Sequence, residues 1–194
     1  VSAISALLDE LSALLPPPTT PFMGSRSWQE VFAELGTELP ADFVALIERY
    51  GNFHIVVQAR DDHGRRIPTE YLSVRDPRAE RSVSWAQAAI YHAERFQALP
   101  PFDRGPNLWP APGGFLGWGT TTNGEWLGWL TQGPSDEWPV AMTRSGDRWL
   151  DEVAEISATE FLVNWLTGVP DFELPDLSAD SPEAPIECRT HPLS

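Results

Sequence analysis

The stretch FLGWGTTTNGEWLGWLTQGPSDEWPVAM, residues 115–142, decides the fold. Apolar and aromatic runs alternate here with turn signals: Asn123-Gly124, then Gly133-Pro134-Ser135-Asp136 ahead of Trp138-Pro139-Val140-Ala141-Met142. Asn-Gly favours a two-residue hairpin, because a type I′ turn needs positive φ at both central positions. The segment predicts three short antiparallel strands in a meander. It holds Trp118, Trp126, Trp129 and Trp138 but few groups able to do chemistry. That balance favours binding over catalysis.

On the N-terminal side, Ile4, Leu7, Leu8, Leu11, Leu14 and Leu15 recur at helical spacing, so residues 3–15 form an amphipathic helix that must dock on something. Pro16-Pro17-Pro18 ends it and opens an extended linker to Gly24. Ser27-Trp28-Gln29-Glu30 fits a capping box, with Val31, Phe32 and Leu35 as the apolar face and Gly36 as the stop. Pro40 suits the first turn of the next helix, which runs through Phe43, Leu46 and Tyr50 to Gly51. Phe53-His54-Ile55-Val56-Val57 reads as a strand, and Asp61-Asp62-His63-Gly64 as the turn after it. A helix of about fifteen residues is expected from the Ser84-Trp85-Ala86-Gln87 cap, ending before Pro100-Pro101.

On the C-terminal side a further strand is expected at residues 147–152, then a last helix capped at Ser157 with Phe161, Leu162, Trp165 and Leu166 on its apolar face. From Pro170 on, six carboxylates stand against Arg189 alone, and large apolar groups are few. Such a composition buries little surface against its ordering entropy, so residues 170–194 are expected to be an acidic tail, mobile past Leu174. The organisation is then an N-terminal helix and linker (1–24), a central α+β domain (25–169) and the tail.

Charge narrows the partners. All 13 basic residues are arginine, a pattern that codon bias explains and folding does not require; 28 acidic residues oppose them for a net −15. Such a surface repels nucleic-acid phosphates and anionic lipid headgroups. It suits a basic protein, whose approach it accelerates by electrostatic steering. Cys188 is the one cysteine, so no internal disulfide forms. No apolar run reaches the ~18 residues of a membrane span, and Asp9 and Glu10 argue against a signal peptide in residues 1–15. A cytoplasmic location is expected.

In order along the chain stand Trp28 and Glu30, Gly36, Leu39-Pro40-Ala41-Asp42-Phe43, Tyr50-Gly51, Gly117-Trp118-Gly119-Thr120, Asn123-Gly124-Glu125, Glu137-Trp138-Pro139-Val140, and Phe161-Leu162 near Trp165. This ordered set resembles the SUKH superfamily, from Ser27 to Gly168. Departures are the first helix, the acidic tail, Gly51-Asn52-Phe53 where the family often shows a run of glycines, and Glu125 where aspartate is commoner. The resemblance implies helices opening and closing around an antiparallel sheet, an α+β meander. It also implies a non-enzymatic immunity protein that binds a polymorphic toxin of the same bacterial cell, or, in other members, an intracellular scaffold or regulator. It supplies no catalytic residues, cofactor or metal.

Candidate partner-binding residues are the carboxylates Asp61, Asp62, Asp136 and Glu137 and the indoles of Trp109 and Trp126. The carboxylates would face arginines and lysines of a toxin cleft; the alternative is solvated turns. Asp151-Glu152 is a third acidic pair of the same kind. The indoles would be interface anchors; the alternative is core or lid. His54, Asp61, Asp62 and His63 are the densest set of metal-ligand types, a basis for a metal-dependent hydrolase only if they converge. There is no Gly-x-Ser-x-Gly elbow and no phosphate-binding loop.

Overall fold

A computed structural model describes residues 3–60, 62–79, 85, 107, 109–143, 150–174, 177 and 185–190. Among them are four α-helices, α1 (Ala3–Leu14), α2 (Trp28–Leu35), α3 (Ala41–Tyr50) and α4 (Ala158–Leu166). Seven strands accompany them: β1 (Phe53–Arg60), β2 (Arg66–Val74), β3 (Phe115–Thr121), β4 (Trp126–Leu130), β5 (Val140–Thr143), β6 (Leu150–Ala154) and β7 (Ile186–Thr190). They form one sheet in the order β6-β5-β4-β3-β2-β1-β7, antiparallel throughout. The fold is α+β, a meander with helices against it. The helix expected from Ser84 lies outside the described residues.

Local chemistry sets the helix ends. Ser27 accepts from the Glu30 N–H while Glu30 accepts from the Ser27 N–H, the reciprocal box that satisfies two orphan donors. Ser157 accepts from the Glu160 N–H at the start of α4. Two further caps come from distant chain. Asp42 on α3 accepts from both the N–H and Oγ1 of Thr159 at 2.9 and 3.0 Å, and so caps α4. Asp136 accepts from the Ala41 N–H at 2.7 Å, and so caps α3, whose own N-cap, Pro40, makes no side-chain bond. A carboxylate at a helix N-terminus also meets the positive end of the helix dipole.

The Asn123-Gly124 turn is not type I′. No non-glycine residue described here has positive φ; Gly124 alone in this turn does, at 89°. The Gly124 N–H donates to Thr121 O and the Thr121 N–H to Glu125 O. The link is therefore a three-residue loop, a tight turn followed by a left-handed glycine. Three residues rather than two shift the strand register that Asn-Gly alone would impose.

Side-chain alternation gives the sheet one helix-covered face. Phe53, Ile55 and Val57 of β1, Leu72 and Val74 of β2, Leu127 and Trp129 of β4, and Val140 and Met142 of β5 all lie in the core. In β3 the Gly117-Trp118-Gly119 run is a bulge: Gly117 faces Gly128 and Gly119 faces Leu127, leaving Trp118 as the extra residue. The Trp118 ring reaches Phe43 of α3 at 6.0 Å and Phe161 of α4 at 6.1 Å, and Trp129 meets Phe43 edge-on at 4.9 Å. Helix α1 docks on α3 and α4, burying Leu8 and Leu11, and the Tyr50 hydroxyl donates to Leu15 O at 2.8 Å. Burial pushes the Tyr50 phenol up to about 12.

The expectation of a mobile tail past Leu174 does not hold for residues 186–190. They form β7 and pair with β1 from Phe53↔Thr190 to Val57↔Ile186. Phe172 and Leu177 are also core residues. Average acidity hid a five-residue alternation, Ile-Glu-Cys-Arg-Thr, that sends Ile186 and Cys188 to the helix side and Glu187 and Arg189 to the other. Cys188 lies opposite Ile55, and burial pushes its thiol from an ordinary 9 up to about 12.

The linker is fixed by an ion-pair node that no motif announced. Asp76, 1% exposed, accepts from Arg78 Nε and NH2, both at 3.1 Å, and from the Gly24 N–H at 2.8 Å. Arg78 also donates to Glu48 Oε1 at 2.6 Å, and its guanidinium lies 4.6 Å from the centre of the Trp28 ring. The Trp28 indole N–H donates to the same Glu48 oxygen at 2.6 Å. Any Cβ at residue 24 would stand 2.0 Å from the Arg78 carbonyl carbon, so only glycine lets the linker come this close.

Two outcomes follow. Asp76→Ala leaves a buried guanidinium short of its main partner and should lower stability by about 3 kcal/mol, whereas Glu48→Gln, half-exposed, should cost below about 1 kcal/mol; urea unfolding measures both. The Cys188 thiol should react with a thiol reagent at pH 9 at least about a hundredfold more slowly in the native protein than in urea, because the thiolate is the nucleophile. Equal rates would mean that β7 is not docked.

Candidate partner-binding surfaces

Strand directions separate the predicted acidic residues. β1 and β3 run one way, β2 and β4 the other. The β1–β2 turn with Asp62 and the Thr122–Gly124 loop therefore lie at one end of the sheet, and the β4–β5 connection with Asp136 and Glu137 lies at the opposite end. Asp62 and the Asp136-Glu137 pair do not share a surface. Asp61 lies outside the described residues. Asp62, Asp136 and Glu137 are all exposed, but Asp136 is engaged as the cap of α3.

The Asp62 end is an arm. The β3 pairing reaches Leu72–Val74 of β2, with Thr122 adding bonds to Tyr71 O and Glu70 O, and β7 pairs with β1 from Phe53 to Val57, with Gln58 adding bonds to Pro185 and Glu187; past these, no ladder pairing joins the hairpin to either neighbour among the described residues. Along it, residues 62–68 are exposed, including His63, Arg65, Arg66 and Ile67. Asp62 thus shares its exposed turn with arginines.

Trp109 belongs to the Asp136 end. Its backbone N–H donates to Phe115 O at the start of β3, its half-buried ring lies 6.4 Å from Trp138, and the Trp109–Pro110 bond is cis. Trp138 is 6.3 Å from Trp129, which is 6.0 Å from Trp118, so one aromatic file runs from this surface through the core to Phe161 and Phe172. Trp138 donates to Gly133 O at 3.1 Å, and this fixes the loop that carries Asp136. The buried indole N–H groups of Trp118 and Trp129 have no hydrogen-bond partner among the described residues. Space between packed rings, not polarity, sets their position.

Trp126 is on the sheet's other face. It opposes Thr120, and with Trp85, Ser73, Arg75 and Gly117 it lines a shallow cleft of about 30 Å³, room for one water. Trp109 and Trp126 therefore sit on different surfaces. Farther along the same face, His54 Nδ1 lies 2.7 Å from Glu70 Oε1, and Arg189 donates to Glu187 Oε2 at 2.7 and 3.0 Å. That guanidinium holds Glu187 below the usual carboxylate range, with Gln58 adding a second bond.

Of the set proposed for metal chemistry, Asp61 lies outside the described residues and the two histidines are far apart. His54 lies within β1 and His63 past its end, about 20 Å apart at strand rise. No group of three His, Cys, Asp or Glu able to hold a metal ion occurs among the described residues. No helix among them is long and apolar enough to cross a membrane. No protein-family model, curated protein or solved structure matches this chain.

The residues that sequence reasoning missed are Asp76, Arg78, Asp42 and the Glu187–Arg189 pair. Only the last carried a signal, opposite charges two apart in a β-alternating run. The dual position of Asp136 is testable: Asp136→Ala should cost about 1 kcal/mol through the lost cap, while Asp62→Ala and Glu137→Ala should stay within about 0.5 kcal/mol, as read by urea unfolding.

Proposed function

We propose that this chain is a non-enzymatic, SUKH-like immunity protein that binds and neutralises a basic bacterial toxin. The reading is carried by one observation: a net −15 chain whose ordered motif set falls on an α+β meander. The motif positions have definite places in that fold. Glu30 closes the capping box with Ser27, Gly117-Trp118-Gly119 form the bulge, and Trp138 donates to Gly133 O within the β4–β5 connection.

The geometry changes how such a partner would be met. Because Asp62 and the Asp136-Glu137 pair stand at opposite ends, a single plug of these carboxylates is not available. The acidity acts instead as a field of the whole chain, which speeds encounter with a basic partner. Local anchoring then falls to one end, where the half-buried Trp109 ring lies against buried Trp138 and exposed Glu137 is the adjacent residue in the chain.

The alternative is a scaffold that recruits several partners through the linker and the C-terminal segment. That segment includes β7 and the core residues Phe172 and Leu177, so its deletion would damage the sheet and cannot separate the two readings. Affinity capture of the tagged full-length chain from its source cells, followed by co-expression, does. A single basic partner that arrests growth alone and is silenced by co-expression of this chain supports the immunity reading. Its association rate should fall steeply between low and ~0.15 M salt. Several sub-stoichiometric partners, none toxic, would overturn it in favour of the scaffold.

A further inference from the structure

The last strand of the sheet is self-complementary. β7 pairs with β1 on one side, and among the described residues nothing pairs with it on the other. An edge strand of this kind is a template for another strand unless it is protected. Which backbone groups face outward follows from the register. The Gln58 N–H donates to Pro185 O, so residue 185 points toward β1. Alternation then turns 187 and 189 toward β1, and turns the N–H and C=O groups of Ile186, Cys188 and Thr190 outward.

We propose that the occupant of this edge is a second copy of the chain, paired antiparallel through β7 about a two-fold axis at Cys188. That axis sets residue 188 opposite residue 188, 186 opposite 190, and 187 opposite 189. The outward groups of 186, 188 and 190 then meet each other as hydrogen-bonded pairs. Glu187 and Arg189 fall in the non-hydrogen-bonded pairs, where side chains approach most closely. Each Glu187 faces Arg189 of the second copy, and each Arg189 faces a Glu187. With the Glu187–Arg189 contact inside each chain, the four groups make a square of alternating sign. A five-residue strand read at random has no reason to match its own reverse in charge, so the match is the argument for self-pairing. On the helix side of the sheet, half-buried Ile186 and Cys188 would gain further cover.

The pairing is isologous and closes at two copies. One strand pair buries little, below the ~1,200 Å² of a standard interface, so the dimer is weak and forms at high chain concentration. Repulsion between two chains of net −15 weakens it further at low salt.

Sedimentation equilibrium of the full chain tests this at up to about 0.5 mM and ~0.15 M salt, the range suited to a weak interface. Wild type should dimerise. Glu187→Arg gives a chain with two arginines on the edge, and Arg189→Glu a chain with two glutamates. Each alone should dimerise at least about tenfold more weakly, since like charges now stand opposite one another. The two single variants mixed should pair with each other, and the double variant Glu187→Arg/Arg189→Glu should return to wild-type affinity. Circular dichroism on each variant shows that the fold is kept. A wild type that stays monomeric at 0.5 mM overturns the proposal. So do single variants that dimerise as well as wild type, which would place the interface elsewhere, and single variants that do not pair when mixed.

Discussion

The Arg78 guanidinium ties together parts of the chain that share no secondary structure. Its bonds to Asp76 and Glu48, with its stacking on Trp28, join the exit of β2 to α3 and α2, and the Asp76 carboxylate extends the node to the linker at Gly24. Asn52, between α3 and β1, accepts from the Asp76 N–H and donates its own N–H to Phe22 O. A buried charge pair of this kind gives little net stability against an apolar replacement, because desolvation offsets the attraction. It gives position. The node decides where the proline-rich linker lies, and hence how α1 returns over α3 and α4.

Four carboxylates of this acidic chain have structural partners, and one of them, Asp136, was expected to face a partner protein. Asp42 and Asp136 each accept from the free N–H groups at the start of a helix remote in sequence. Asp76 holds Arg78, and Glu30 closes a capping box. Backbone donors at helix starts need acceptors wherever water is excluded. A carboxylate supplies one and complements the dipole as well. What remains for a partner is the field of the exposed carboxylates, distributed over both ends of the sheet.

The aromatic residues follow the same logic. The bulge at Trp118 and the crossing of Phe43 over Trp129 are one arrangement: the extra residue in β3 turns Trp118 toward the helices, where Phe161 and Phe43 close on it. Trp109 and Trp126, the two indoles expected at an interface, are half-buried on different surfaces. Each is held by its neighbours in the sheet, at Phe115 and Thr120 respectively.

Local signals were legible from sequence because their physics is local. A serine three residues before a glutamate, a glycine after an apolar stripe and a Gly-Pro break each act over a few residues, and they place α2, α3, α4 and the β3–β4–β5 meander. Even so, Asn-Gly misled about turn type, since the loop length it joins with is set by strand pairing. The tail was misread because composition averages over a segment, while β7 needs only five residues with the right alternation and an open edge on β1. Whether Asp62 and Asp136 act together depended on strand direction across five strands, which no spacing encodes. The sequence by itself determined helix ends, strand alternation and net charge, all governed by neighbours within one or two turns of chain. Only the tertiary structure decided which carboxylates cap helices, which arginine is buried and which face each tryptophan meets, because those depend on groups brought together from as far as 117 residues away.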